Sequence, residues 1–171
     1  MLKHLYFLLQ KGKSFKAWIL LSTLLAPAAT FAVNFDHTKD FDYSSLTRGQ
    51  EIGCLAMNLY HEGRGESAKG RAAIAAVTMN RVSNPSYPDS VCEVVWQRKQ
   101  FSWTKIAARH HVIRDLDAWR EALTTAQLFV DGAVLANIGA ATHYHAENIE
   151  PYWAVTEKPI GKVGGHYFYI L

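Results

Sequence analysis

The chain has 171 residues, 49% of them hydrophobic and 19% charged, which is typical of one globular domain with a sizeable core. Its formal charge of +3 arises near the N-terminus, because four of the 18 lysines and arginines but none of the 15 acidic residues precede residue 33. The remaining 14 basic and 15 acidic residues carry a formal charge of −1. The sequence therefore lacks the basic surface of a nucleic-acid-binding domain, and we expect no nucleic acid partner.

Residues 1–32 predict an export signal. Four lysines come first, and the apolar run AWILLSTLLAPAATFA then ends on small residues near Ala32. The run is short for a membrane span and contains Pro27, so we expect cleavage near Ala32 rather than a retained anchor. The protein is then periplasmic or extracellular, and it contacts the membrane only through the leader if the leader stays uncleaved.

Two cysteines, Cys54 and Cys92, follow this signal. Export places them in an oxidising compartment, which favours a disulfide between them over two buried free thiols. In the chain-entropy account, closing such a loop stabilises the folded state by about 4 kcal/mol.

Residues 33–45 are polar and aperiodic, and they predict an N-terminal arm before a folded domain at 46–171. From about Leu46, apolar residues recur at helical spacing until Gly63 and Gly65 end a first helix. Glu62 lies on the last turn of this helix, three residues after Leu59. That spacing places its carboxylate on the apolar face of the helix.

A second helix is predicted after Ser67, a plausible N-cap, and its run of alanines allows close helix packing. Two prolines bar regular structure in the loop SNPSYPDS, and Ser90 then caps a short helix through VCEVVWQ. A further helix is predicted from about Asp115 to Val130. Its expected buried face consists of Leu116, Trp119, Leu123, Ala126 and Val130.

The C-terminal segments ATHYHAENIEPYWAV and GGHYFYIL are aromatic and β-prone. Together with the helices, they predict an α+β domain that is mainly helical.

A zinc site is the first chemistry to consider, because His61, Glu62, His143 and His145 are of ligand type. However, His61 and Glu62 point about 100° apart on a helix, and no H-E-x-x-H motif is present. A nucleophilic hydrolase is disfavoured too, since no G-x-S-x-G motif occurs. We therefore expect no metal and no other cofactor.

Acid catalysis by Glu62 is the remaining possibility. A carboxyl group half-buried on an apolar helix face has its charged form disfavoured and keeps its proton near neutral pH. Such a group can protonate a glycosidic oxygen. The alternative is a structural ion pair of Glu62 with Arg64 or with an arginine of the second helix.

The run CLAMNLYHEGRGESAKGRAAIAAVTMNRVSNPSYPDSVCEVVWQRKQFSW resembles the SleB-type cell wall hydrolases, the family of spore-cortex lytic enzymes. The family pattern is an acidic-Arg-Gly-Glu signature, a small-residue helix ending in Asn-Arg-Val, and a Pro-rich loop leading to Gln-Phe-Ser or Gln-Phe-Thr. The segment ATHYHAENIEPYWA is similar to the aromatic segment that closes the family's domain. Gly63 departs from the pattern, which more often has Ala there.

This resemblance implies a compact lysozyme-like or lytic-transglycosylase-like domain that is mainly helical with a small β element and acts on peptidoglycan glycan strands. The family's catalytic glutamate maps onto Glu62. Glu66 is the rival acid, but its place before the second helix gives it a structural role opposing the helix dipole. Arg64 is expected to hold the turn.

The resemblance also implies a substrate cleft. Gln100, Phe101 and Ser102 are expected in its wall, and Tyr144 is expected to face the acid. His143 and Trp153 are expected to bind substrate. For Phe101 and Trp153, as for Trp103, burial in the core is the ordinary alternative.

A single cleft carboxylate favours lytic transglycosylase chemistry over mechanisms that need two acids. The leading function is therefore a peptidoglycan lytic transglycosylase or muramidase-type glycosidase acting as a monomer. Two alternatives stay open: a zinc-dependent N-acetylmuramoyl-L-alanine amidase and a non-catalytic peptidoglycan-binding module.

Overall fold

The structure is a computed structural model that describes residues 47–105 and 112–171. The predicted export signal at 1–32, the arm at 33–45 and the first residue of the predicted domain lie outside the described residues. In the two described stretches, no helix is both long and apolar enough to cross a membrane.

The first two helices are in contact with each other and are joined by a glycine-containing turn. Helix α1 runs Arg48–Glu62 and helix α2 runs Ala68–Val82. Gly63 ends α1 as predicted, and Gly65 adopts a φ of 90°, which favours glycine. Ser67 is confirmed as the N-cap of α2, since its hydroxyl accepts the backbone N–H of Gly70 at 3.2 Å.

Helix α3, Val91–Trp96, is capped by Ser90 as predicted and is tied to α1 by a disulfide. Cys54 and Cys92 are bonded to each other, and both are fully buried. The predicted disulfide is therefore confirmed, and it anchors the middle of α1, two turns before Glu62.

Helix α4, Leu116–Val130, begins after Asp115 and packs against α1 and α2. The predicted buried face was wrong in part, because Leu116 is 58% exposed and Leu123 is 39% exposed. The residues of α4 that are buried are Ala122, Ala126 and Phe129. Small alanine side chains let α4 approach the other helices closely, and the adjacent leucine stripe is left at the surface.

The C-terminal part forms a small antiparallel sheet of β1 (His143–Ala146), β2 (Gly161–Val163) and β3 (His166–Tyr169), in the order β1-β3-β2. Short 3₁₀ turns cover Ser102–Lys105 and Tyr152–Ala154. The predicted mainly helical α+β class is confirmed.

The two faces of this sheet differ in character. Tyr144 pairs with Phe168 in register, and Phe168 is fully buried, so both side chains lie on the inner face towards the helices. Their neighbours His143, His145 and Tyr169 point to the opposite, outer face. The alternation along β1 therefore determines which of its residues can reach α1.

Candidate active site

Glu62 is the last residue of α1, where the helix end meets the inner face of the sheet. The hydroxyl of Tyr144 donates to Oε2 of Glu62 across 3.4 Å, joining residues 82 positions apart in the chain. Burial raises the pKa of Glu62 above its usual value, and the hydrogen bond from Tyr144 opposes that shift. The carboxyl group is thus held in a setting that favours its protonated form.

Tyr144 stands on the inner face of β1, with its ring centroid 5.4 Å from that of His166 and 5.9 Å from that of Phe168. Burial raises the pKa of Tyr144 well above its usual value, and the charge of Glu62 raises it further. The phenol therefore stays neutral and remains a hydrogen-bond donor to the Glu62 carboxylate.

A buried polar network fixes the last turn of α1. Asn58, one turn before Glu62, is fully buried, and its Oδ1 accepts the indole N–H of Trp103 at 3.2 Å. The ring of His61 stacks on Trp103 with a centroid distance of 4.6 Å. Trp103 is 5% exposed, so of the two alternatives for this residue the core position is the one found. Asn58 was missed in the sequence, although an asparagine on an apolar helix face is a readable signal of such a network.

Glu66, four residues after Glu62, is held by the turn between β2 and β3. Its Oε1 accepts the backbone N–H of Gly165 at 3.2 Å and lies 3.2 Å from Nδ1 of His166. A Cβ at either Gly70 or Gly164 would collide with Oε2, so these glycines leave the space that the carboxylate fills. The carboxylate lies beside the first turn of α2, and its hydrogen bonds go to the hairpin, which the sequence did not indicate.

Arg64 lies in the turn after α1, with its guanidinium 5.4 Å from the ring centroid of Tyr60. Within the described residues, no arginine forms an ion pair with Glu62. Arg71 of α2 instead lies 3.0 Å from Glu121 and donates to the backbone oxygen of Glu66 at 2.6 Å. The described structure thus offers no support for the alternative of a structural ion pair at Glu62.

The segment from Gln100 to Ser102 differs in accessibility from one residue to the next. Ser102 is exposed and Gln100 is half-buried, whereas Phe101 is 4% exposed and packs near the guanidinium of Arg81. Almost none of the Phe101 ring is open to a substrate, so only Gln100 and Ser102 can present polar groups from this segment.

His143 and Trp153 are not brought to Glu62, because they belong to the outer face of the sheet. Their rings are 5.3 Å apart, and Trp153 also contacts the rings of His145 and Tyr169. Burial lowers the pKa of His143, and the charge of Arg81 lowers it further. Any contact of this aromatic cluster with a substrate would be separate from the contact at the acid.

The histidines and acids of the described stretches do not gather into a metal site: no group of three or more His, Cys, Asp or Glu residues in 47–105 and 112–171 is arranged to hold an ion. A groove of about 590 Å³ lies along β2. Its charged lining residues are Lys69 and Lys162, so it offers no acid for bond cleavage. Among the described residues, the contact between Glu62 and Tyr144 is the arrangement best suited to proton transfer.

Comparison with known proteins agrees with the fold. The sequence matches the family model described as Cell Wall Hydrolase over residues 65–169, a range that begins just after Glu62. It is 30% identical over 118 residues to the spore cortex-lytic enzyme of Bacillus subtilis and 29% identical over 119 residues to that of Halalkalibacterium halodurans. These matches cover 69% of this chain but 37% and 34% of the relatives, so the chain spans little more than a third of their length.

Two solved structures are similar as well. The catalytic domain of the Bacillus cereus SleB protein is 27% identical with a TM-score of 0.56, covering 71% of this chain and 91% of that one. The catalytic domain of the germination-specific lytic transglycosylase SleB from Bacillus anthracis is 25% identical with a TM-score of 0.57, covering 76% of this chain and all of that one. The predicted compact, lysozyme-like domain is confirmed by this likeness.

Proposed function

Because this chain belongs to the cell wall hydrolase family, we propose that it is an exported enzyme that cleaves the glycan strands of peptidoglycan, with Glu62 as its general acid and base. One observation carries this proposal: the carboxyl group of Glu62, half-buried at the end of α1, receives a hydrogen bond from the hydroxyl of Tyr144. Burial raises the pKa of Glu62, which agrees with a role as proton donor. Export would come from the signal peptide predicted to end near Ala32.

In the first step, the protonated carboxyl group of Glu62 donates its proton to the glycosidic oxygen. The bond between that oxygen and the anomeric carbon breaks, and the sugar beyond it leaves as an alcohol. Positive charge develops on the sugar that remains, and Glu62 becomes a carboxylate. The hydroxyl of Tyr144 then stabilises the new negative charge by donating to it.

In the second step, the Glu62 carboxylate accepts the proton of the substrate's own C6 hydroxyl, whose oxygen closes a 1,6-anhydro ring on the anomeric carbon. Glu62 ends protonated, and no water is consumed. Two features favour this route over hydrolysis. No second carboxylate contacts Glu62 among the described residues, and the sequence of residues 106–111 contains no Asp or Glu. The similar Bacillus anthracis protein is itself described as a lytic transglycosylase.

The other residues take supporting roles in this proposal. Gln100 and Ser102 would contact the glycan beside the acid, whereas Phe101, which lies between them in the chain, is buried. Glu66 and Arg64 would hold the turn that follows α1. His143 and Trp153 would contact sugars away from the bond that breaks.

Digestion of purified peptidoglycan tests the function, with mass analysis of the released fragments. The proposal expects disaccharide fragments whose muramic ends are one water lighter than reducing ends. If the fragments instead carry reducing ends, the second step is hydrolysis with the same acid and not closure of the anhydro ring. Free peptide stems with intact glycan strands would contradict glycan cleavage and favour the amidase, and binding without cleavage would favour the glycan-binding module.

Removal of metal ions distinguishes the amidase further. Dialysis against a chelator should leave the activity unchanged, because the proposed proton transfers need no Lewis acid. The measurement is the digestion rate before and after dialysis, with zinc added back. A loss of activity that zinc restores would contradict the proposal.

A further inference from the structure

Two adjacent residues at the end of α2 bind the segment that leads into β1. The side-chain amide of Asn80 donates to the backbone oxygens of Gly139 and Ala141, each at 2.9 Å. Nε of Arg81 donates to the backbone oxygen of Thr142 at 2.7 Å. Three hydrogen bonds from one helix turn thus fix residues 139–142.

Thr142, which accepts the bond from Arg81, is held by further hydrogen bonds to the C-terminal segment. Its N–H donates to the backbone oxygen of Tyr169 at 2.9 Å, and its hydroxyl lies 3.2 Å from the backbone oxygen of Leu171. With Arg81 on its carbonyl oxygen, both backbone groups and the side chain of Thr142 are fixed. Thr142 is 1% exposed and lies two residues before Tyr144, so the two share the inner face of the sheet.

Arg81 is a charged residue whose burial costs free energy. It is 4% exposed, and its guanidinium carbon lies 5.5 Å from the ring centroid of Tyr87 and 5.6 Å from that of Phe101. No carboxylate pairs with it in the described residues, and its Nη1 is buried without a hydrogen-bond partner. A buried guanidinium without a counter-ion opposes folding, and local costs of this kind are expected where function requires them.

We propose that Asn80 and Arg81 are positioning residues that hold Tyr144 against the carboxylate of Glu62. The inference rests on the proposed function, because it assigns these residues to the reaction at Glu62. The contact that they would protect is long, at 3.4 Å, so a small displacement of β1 would break it. Displacements of about 1 Å in a catalytic group can cost about a hundredfold in rate.

The first test compares two identical substitutions. Asn80→Ala removes both bonds to the strand entry, whereas Asn84→Ala removes only a local bond to the N–H of Ser86. We expect Asn80→Ala to lower kcat on purified peptidoglycan by about tenfold with KM changed less than about twofold, and Asn84→Ala to leave both nearly unchanged. Equal kcat values for the two variants would overturn the inference.

A double-mutant cycle distinguishes positioning from general damage. If Asn80 acts through Tyr144, Asn80→Ala should cost little further kcat once Tyr144→Phe has removed the hydroxyl. Full additivity of the two losses, in proteins with unchanged melting temperatures, would overturn the inference. The same cycle can be run with Arg81→Lys, which retains the positive charge and removes the Nε donor. This variant takes the place of Asn80→Ala if Asn80→Ala fails to fold.

The same assays separate this inference from the proposed function. If Glu62→Gln is as active as the unmodified protein, the function itself is wrong and the inference is overturned with it. If Glu62→Gln is inactive while Asn80→Ala and Arg81→Lys keep normal kcat, only the positioning role is overturned.

Discussion

Glu62 and Glu66 lie four residues apart, yet they occupy opposite kinds of environment. Glu62 ends a helix in a half-buried setting, and among the described residues one tyrosine hydroxyl donates to it. Glu66 accepts a backbone N–H of the β2–β3 turn and lies beside the imidazole of His166. Both residues are glutamates that lie close together in the chain, so the atoms that surround each carboxyl group decide its chemistry.

The two environments suit the two glutamates to different roles. A carboxyl group with a raised pKa and one weak donor can give up its proton and take it back. The carboxylate of Glu66 instead contacts the backbone N–H of Gly165 and the imidazole of His166, and it fills the space left by two glycines. It therefore joins the turn after α1 to the turn between β2 and β3. We therefore expect substitutions at the first position to change the reaction and substitutions at the second to change stability.

The largest effect is expected at the acid itself. Glu62→Gln keeps the shape of the side chain and removes the proton that is transferred, so the rate on purified peptidoglycan should fall by at least about a hundredfold. The matched control, Glu66→Gln, should act mainly by lowering the melting temperature. Near-normal activity of Glu62→Gln with a folded, inactive Glu66→Gln would show that the two roles are reversed.

A smaller effect is expected at Tyr144. Tyr144→Phe removes the donor to Glu62 but keeps the ring, so kcat should fall by about tenfold with the melting temperature unchanged. Tyr152→Phe is the control, because Tyr152 is 90% exposed and lies in a surface turn. An equal rate for the two variants would mean that the Tyr144 hydroxyl serves packing alone.

The smallest effect on the reaction, and a clear effect on folding, is expected at Gly164. An alanine there would meet Oε2 of Glu66 and would sit at a φ of 59°. We expect Gly164→Ala to lower the free energy of unfolding by about 1–3 kcal/mol with kcat nearly unchanged.

Gly132→Ala separates the two causes, since Gly132 also has a positive φ of 89° but no atom near the added Cβ. The measurement is denaturant unfolding of both variants. If Gly132→Ala is destabilised as much as Gly164→Ala, the backbone strain explains the loss and the contact with Glu66 contributes nothing.

Local sequence signals predicted much of the helical fold. Ser67, Ser90 and Gly63 mark helix ends because capping and glycine conformation depend on near neighbours in the chain. The presence of two cysteines after a predicted export signal predicted the disulfide between them. The choice of buried face on α4 failed, because Leu116 and Leu123 form a second apolar stripe that only tertiary packing distinguishes from the alanine stripe.

The site was predictable to a lesser degree. The place of Glu62 followed from helical spacing, but its partner Tyr144 was expected only through the family resemblance. The separation of His143 from Tyr144 depends on strand alternation, which becomes certain only once the register with β3 is known. The contacts of Asn80 span about 60 residues, and no local pattern reports them.

The most direct test of the account is the titration of the Glu62 side-chain carboxyl carbon by NMR, assigned by the signal that disappears in Glu62→Gln. Burial should place its midpoint above the ordinary glutamate value, and the reaction rate should fall as pH rises through that same midpoint. A raised pKa means that the folded protein binds the Glu62 proton more tightly than the unfolded protein does. The stability that this protonation contributes is present below the ordinary glutamate pKa, and it is lost as pH rises through the raised pKa of the folded state. A midpoint at or below the ordinary value would contradict the claim that Glu62 is the proton donor.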